Sequence, residues 1–274
     1  MDYIDAYVRD IGLFTEEQQE RLRGAKVTVA GVGGAGGIQA ATLARFGLGE
    51  IALIDPGAFD PPDLNRQFGA MASSLGKNKA EVTARLLEDI NPFMKVTFST
   101  DPLLDGEALK RFVKGSAVVV DAIDYLGFRT KALFARTARE LGILNLSAAL
   151  CDFGTLLVVF DPEGMTLEEF FGAPDDPALM DRFKIHPARL VGSRRRGQNM
   201  WKFADGSLPY IPTCAGAAAL SGATLATEAA LIIAGIRKPQ DVITVPRAVL
   251  CDLLGRSVEI INPLEECESE VARS

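Results

Sequence analysis

The sequence predicts an α/β fold: a doubly wound, mainly parallel sheet with antiparallel strands at its C-terminal end. Three observations carry this expectation. Short apolar, β-branched runs alternate with helical stretches through residue 147, which is the pattern of parallel strands joined by right-handed crossovers. The stretch Lys26 to Asp55 reads as strand, glycine-rich turn, small-residue helix and second strand. Near the end, Val242 to Leu250 and Gly255 to Ile261 read as a closing antiparallel pair with a turn at Leu254-Gly255.

The stretch Lys26 to Asp55 organises the rest. Lys26-Val-Thr-Val-Ala30 fits a strand buried on both faces. Gly31, Gly33 and Gly36 then spell Gly-x-Gly-x-x-Gly, with Gly34 and Gly37 in addition. Glycine is needed where the backbone turns sharply or touches a ligand. The Ala-rich run Gly37 to Gly47 keeps Ile38, Leu43 and Phe46 for packing. As a helix it points its N-terminal amides and dipole at an anion on the glycine loop. The next strand, Ile51 to Ile54, ends at Asp55, where a carboxylate can accept hydrogen bonds from a ribose hydroxyl. This is a Rossmann-like nucleotide-binding unit.

The flanking elements follow in order. Residues 1–25 read as a helical arm in two pieces, with Thr15 as an N-cap before acidic residues and Arg9 as a charge ahead of it. After Asp55 comes a polar loop, Pro56 to Gly69, holding Asp63-Leu-Asn-Arg-Gln-Phe68. Such loops at strand C-terminal ends bind ligands in doubly wound folds. A helix from about Lys79 to Ile90 stops at Asn91-Pro92. Strands are expected at Val96–Ser99, Ala117–Asp121, Leu144–Leu146 and Thr155–Phe160, with helices between them. Residues 161–212 read as irregular, with one helical turn at Thr166 and a basic run at Ser193–Gly197 that reads as a solvated loop or as a lid meeting an acidic partner or phosphates. Thr213 to Gly235 is a long small-residue helix, and the acidic stretch 263–274 reads as a loose tail.

Composition bounds the function. A chain of 274 residues at 48% hydrophobic content can bury a full core. The expected organisation is one unit: arm 1–25, nucleotide-binding half 26–150, a second half 151–262 with the 161–212 loop, and tail 263–274. The net charge of −7 counts against general nucleic-acid or membrane-surface affinity. No signal peptide is read at the acidic start, and Ala215 to Gly235 reads as a buried helix because it contains Ser221, Thr224, Thr227 and Glu228. Four separated cysteines and one histidine give no zinc-site spacing, so the expectation is a reduced cytoplasmic protein without zinc.

Two ligands compete for the glycine loop: a dinucleotide, or ATP with a metal. A pyrophosphate of about two negative charges is handled by amides and a helix dipole. A triphosphate of about four calls for cations and a magnesium ion held by a carboxylate. Arg66, Lys79 and Asp124 all fall at the carboxyl edge of a parallel sheet, which favours MgATP and charge stabilisation at the α-phosphate. Taken singly, each has an ordinary structural role: a loop salt bridge, a helix surface charge, a helix cap.

Gly31-x-Gly-Gly-x-Gly, Asp55, Asn65-Arg66-Gln67, Lys79 within Gly-Lys-Asn-Lys-Ala, and Asp121-Ala-Ile-Asp124 occur in this order and at these intervals. The pattern resembles the ThiF/MoeB/HesA superfamily of ubiquitin-activating-enzyme-like adenylyltransferases, from about Tyr7 to Pro263. The resemblance implies adenylation of a carboxylate with release of pyrophosphate. The typical acceptor is the C-terminal glycine of a ubiquitin-fold sulfur carrier ending in Gly-Gly. It implies that Gly31, Gly33, Gly34 and Gly36 with Asn65 and Gln67 line the nucleotide site. Asp55 would hold the ribose, Arg66 and Lys79 the phosphates, and Asp124 magnesium. Arg9 would reach a partner subunit's ATP site, implying a homodimer. Cys214, in a Thr-Cys context before the long helix, could join covalently to the carrier; a small buried residue is the equal alternative. The chain departs from the family in lacking Cys-x-x-Cys pairs and in placing Tyr125, at the adenine end of the pocket, where Asn is usual. Other acceptors are small-molecule, peptide or transfer-RNA-linked carboxylates. Two other readings are a non-catalytic scaffold and an NAD-dependent oxidoreductase.

Overall fold

The computed structural model describes residues 2–102, 105–174, 176–180, 182–186, 188–191, 202–203 and 206–265. One eight-stranded sheet carries the chain, in the order β3-β2-β1-β4-β5-β6-β7-β8. Its strands are β1 (Lys26–Ala30), β2 (Glu50–Ile54), β3 (Lys95–Ser99), β4 (Val118–Asp121), β5 (Leu144–Cys151), β6 (Gly154–Phe160), β7 (Ala248–Asp252) and β8 (Ser257–Ile261). Strands β1 to β5 pair parallel, and β5 to β8 pair antiparallel. The chain thus leaves β1 towards β2 on one side and later returns to β4 on the other. The crevice outside the carboxyl ends of β1 and β4 is therefore the switch point where such sheets bind ligands.

The helices are α1 (Tyr3–Ala6), α2 (Glu16–Arg23), α3 (Gly36–Arg45), α4 (Lys79–Ile90), α5 (Gly106–Val113), α6 (Phe128–Glu140), α7 (Leu167–Phe171) and α8 (Ala215–Ile233), with single turns of helix at Pro177–Met180 and Ala188–Val191 between the last two. Alternation along the strands divides the core. Val27, Val29, Leu53 and Val120 pack under α3, α4 and α8, while Ala30, Ile54 and Val119 pack under α5 and α6. Small residues set the spacing of α8. A Cβ at Gly222 would lie 2.9 Å from Ile38 of α3, so the two helices meet almost at backbone contact. Among the described residues α8 alone is long and apolar enough to cross a membrane. Here it lies against α3, β5 and β6.

Three expectations need correction. β5 continues past Leu146 to Cys151, because it hydrogen-bonds to β6 from Asn145–Phe160 through Cys151–Gly154. β7 begins at Ala248 rather than Val242, since a 3₁₀ turn at Pro239–Asp241 and the imino nitrogen of Pro246 interrupt pairing before it. β8 begins at Ser257 rather than Gly255 because 253–256 form the turn. The basic run Ser193–Gly197 and the tail residues 266–274 lie outside the described residues.

Asn91 shows how the sheet edge is pinned. It caps the end of α4, is fully buried, and its amide donates to the carbonyls of Ala44 at 3.1 Å and Leu48 at 2.9 Å. The Asn91→Ala variant leaves both carbonyls without this donor. The Ala44 carbonyl keeps the Gly47 amide and the Tyr7 hydroxyl, so the loss falls mainly on Leu48, and at about 1–3 kcal/mol per orphaned group we expect unfolding stability to fall by about 1–3 kcal/mol. Urea unfolding of wild type and variant measures the difference.

Candidate active site

The glycine loop is shaped by two close approaches. Gly31 has φ +86°, and a Cβ there would lie 2.4 Å from the Ala122 carbonyl oxygen. A Cβ at Gly36 would lie 1.9 Å from the Gly31 carbonyl oxygen. Both positions therefore accept only glycine, and they press the loop between β4 and the first turn of α3. No side chain caps α3, whose N-cap is Ala35, so its first amides are left to solvent or a ligand. Gly31, Gly33 and Gly34 line a cavity of about 370 Å³ at the switch point. Gly36 does not line it; its part is the packing beneath.

Asp55 stands at the mouth of this cavity. Its Oδ2 accepts from the Val32 amide and its Oδ1 from the Gly57 amide, both at 2.8 Å. Each carboxylate oxygen retains a lone pair for a further donor.

The polar loop supplies the cations. A 3₁₀ turn, Pro61–Asn65, is closed by Asp60 and Asp63, which receive one another's backbone amides. This turn buries Asp63 and places Arg66 and Gln67 one step beyond it. Lys79, the first residue of α4, reaches Asp63 Oδ2 at 3.0 Å, and the Arg66 guanidinium lies 3.7 Å from Oδ1. Gln67 Nε2 donates to the same Oδ1, while Gln67 Oε1 is buried without a hydrogen-bond partner. Lys79 also lies over the Phe59 ring, 5.7 Å from its centroid. Arg66, Gln67 and Lys79 all line the cavity. Sequence reasoning quoted Asp63 but gave it no part. The signal was present: an acid at three residues before Arg66 in a turn that must hold two cations together.

Asn65 departs from expectation. It lines neither this cavity nor its neighbour. Its amide donates to the Thr213 carbonyl at 3.0 Å, and its Oδ1 accepts from Arg66 at 2.8 Å. It positions the arginine because the turn points it across to the segment before α8.

Asp124 lies exposed beyond β4, with Oδ1 accepting from the Leu126 amide at 3.2 Å. The described residues contain no group of three acidic, His or Cys side chains able to cage a metal. A single carboxylate beside a phosphate site suits magnesium, which keeps most of its shell for phosphates and water.

A second cavity, about 320 Å³, adjoins the first and shares Gly34, Arg66, Ala122, Ile123 and Asp124 with it. Leu150, Leu156, Val158, Phe171, Ile185 and Leu190 give it apolar walls. Tyr125 lines this second cavity and not the one bearing Asp55. The cavity also holds an ion pair that sequence reasoning missed: Lys131 Nζ lies 2.7 Å from Asp121 Oδ1, with both side chains almost wholly buried. Burial pushes the Asp121 carboxyl above its ordinary value, opposed by Lys131 and by the amide of Ile123. Burial likewise pushes the Tyr125 hydroxyl well above its ordinary value.

Two expected residues stay apart from both cavities. Arg9 is exposed on an arm anchored by the Tyr3 hydroxyl to the Gly47 carbonyl and by the Tyr7 hydroxyl to Ala44. That anchor is at the C-terminal end of α3, whose ten residues at about 1.5 Å each span roughly 15 Å from the glycine loop. Cys214 is the N-cap of α8. Its thiol lies 3.7 Å from the Asp152 carbonyl and lines neither cavity, although the preceding Thr213 lines the second.

Comparison with known proteins agrees with this geometry. The chain is 31% identical over 153 residues to the tRNA threonylcarbamoyladenosine dehydratase of Haemophilus influenzae, covering 54% of this chain and 59% of that protein. It is 31% identical over 144 residues to the sulfur carrier protein ThiS adenylyltransferase of Escherichia coli, covering 53% and 56%. The matches thus span less than two thirds of these relatives. Among solved structures, Escherichia coli MccB with ATP superposes with a TM-score of 0.70 at 19% identity, covering 94% of this chain and 70% of that one; at that identity the likeness concerns the fold. The ThiF family model matches residues 7–269. A glycine loop, a cation pair and an acidic strand end are gathered at one switch point within that span, and the chain belongs to the ThiF family.

Proposed function

We propose that the chain is an ATP- and magnesium-dependent adenylyltransferase that activates the C-terminal carboxylate of a ubiquitin-fold sulfur carrier. The observation that carries this reading is the convergence of Arg66 and Lys79 on Asp63 at the wall of the glycine-loop cavity. At this wall two cations outnumber the one carboxylate that holds them, while Asp55 and Asp124 line the same cavity. A triphosphate needs such charge, and a nicotinamide dinucleotide would leave it without a role. The adenylyltransferase relative named for a sulfur carrier supports the acceptor class.

In this reading Asp55 accepts from the ribose, and the uncapped amides of α3 face the phosphates. Arg66 and Lys79 neutralise the α-phosphate and the leaving pyrophosphate. The acceptor carboxylate oxygen bonds to the α-phosphorus, the bond from that phosphorus to the bridging oxygen breaks, and pyrophosphate departs with the electron pair. Two anions must meet for this step, so preorganised positive charge is the main requirement. Asp124 would hold magnesium, which supplies charge neutralisation of the polyphosphate. A small or peptide carboxylate is a second reading, favoured by the apolar-walled second cavity beside Arg66 and Asp124. The relative named for transfer RNA offers a third acceptor, against which the net charge of −7 counts.

Magnesium-dependent ATP–pyrophosphate exchange, run with Gly-Gly-ended carrier proteins and a panel of carboxylates, tests the proposal. Lys79→Ala and Asp124→Ala should each lower exchange by about 10²-fold or more, the scale of losing one preorganised charge at a transition state. Full exchange in both variants would sink the assignment.

The distance of Arg9 from its own cavity fits donation to a second copy. Arg9→Ala and Asp124→Ala should each be nearly inactive alone, and mixed dimers should recover a fraction of wild-type exchange. Proven heterodimers without recovery would remove the shared site.

A further inference from the structure

Asn78 does two jobs at the start of α4. Its Oδ1 accepts from the Glu81 amide at 3.0 Å, the ordinary service of an N-cap. Ser or Thr would perform that service nearly as well. The side-chain amide also carries two N–H donors, which a cap does not need. Nδ2 uses them on the carbonyls of Asp55 and Gly57, each at 3.1 Å. These carbonyls flank the turn in which the Gly57 amide donates to Asp55 Oδ1 at 2.8 Å. One side chain thus fastens the start of α4 to the turn that aims the Asp55 carboxylate, across 23 residues of chain.

The fastening is closely packed. The Lys79 amide donates to the Gly57 carbonyl at 2.8 Å, and the Phe59 amide to the Lys77 carbonyl at 3.0 Å. A Cβ placed on Gly57 would lie 3.1 Å from Asp55 Oδ1 and 3.7 Å from Lys79 Cδ and Cε. The lysine stem therefore runs beside the aspartate turn, while its ammonium reaches Asp63 at 3.0 Å. Asp55 and Lys79 both line the glycine-loop cavity, and Asn78 does not. Asn78 acts only through these neighbours, by setting their separation. A ligand that spans both gains fully from its second contact only when the first already places it there. A nucleotide is such a ligand, because covalent bonds fix the span from its ribose to its phosphates.

We propose that Asn78 is a positioning residue whose two donated hydrogen bonds fix the spacing between the ribose subsite at Asp55 and the phosphate subsite at Lys79. This rests on the adenylation reading and deepens it, by naming the residue that joins two weak subsites into one tight site. The side-chain amide carries this role and the cap does not. A hydroxyl at this position separates the two, since it keeps the cap and loses the link.

The test compares Asn78→Ser and Asn78→Thr with wild type by displacement calorimetry, using three probes. Magnesium ATP spans both subsites, adenosine takes only the first, and magnesium tripolyphosphate takes only the second. In both variants the ATP Kd should rise about tenfold while the Kd of each fragment moves by less than about twofold, the pattern of a lost effective concentration. Fragment binding at wild-type strength also shows that each subsite is folded. Equal weakening of ATP and both fragments would mark an ordinary structural role and overturn the inference. So would an unchanged ATP Kd, or a wild-type protein whose bound ATP is displaced by neither fragment. Absence of ATP binding in wild type would instead overturn the adenylation reading beneath it.

Discussion

The site hangs on Asp63. One buried carboxylate gathers Lys79 from the start of α4, Arg66 from the loop and the Gln67 amide. Without it, two cations placed side by side would repel and swing out to solvent. With it, both are held against the cavity wall while their combined charge still exceeds that of their partner. The turn that buries Asp63 and the helix that begins at Lys79 are the means of this arrangement. The strand order, which brings the ends of β1, β2 and β4 together, supplies its setting.

The two buried charge clusters are built on opposite principles. Around Asp63 the sum is positive, which suits polyphosphate. Around Asp121 the sum is zero, and the open valences are hydrogen-bonding ones. Neighbouring cavities that share five residues thus offer very different electrostatic environments.

The sheet and most of its helices were legible in the sequence, because buried parallel strands write themselves as unbroken apolar runs such as Val118–Asp121. Boundaries failed where pairing, not local pattern, decided them. β5 extends to Cys151 only because β6 folds back along it. Within the site, Asp55, Arg66, Lys79 and Asp124 could be placed by their positions after strands. Lys131 could not, since its role comes from a partner 10 residues away and from burial that no local pattern records; Asp63 was legible only in its spacing to Arg66, its bond to Lys79 lying 16 residues off. The family resemblance puts Asn65 among the nucleotide-site residues, while its turn aims its amide at the Thr213 carbonyl.

That bond between Asn65 and Thr213 joins positions 148 residues apart. One end grips the guanidinium of Arg66, and the other holds the backbone that forms part of the second cavity's wall. The two compartments are therefore geared together by a single amide. Moving that backbone therefore pulls on Arg66, so a shift in the wall of one cavity is felt in the wall of the other.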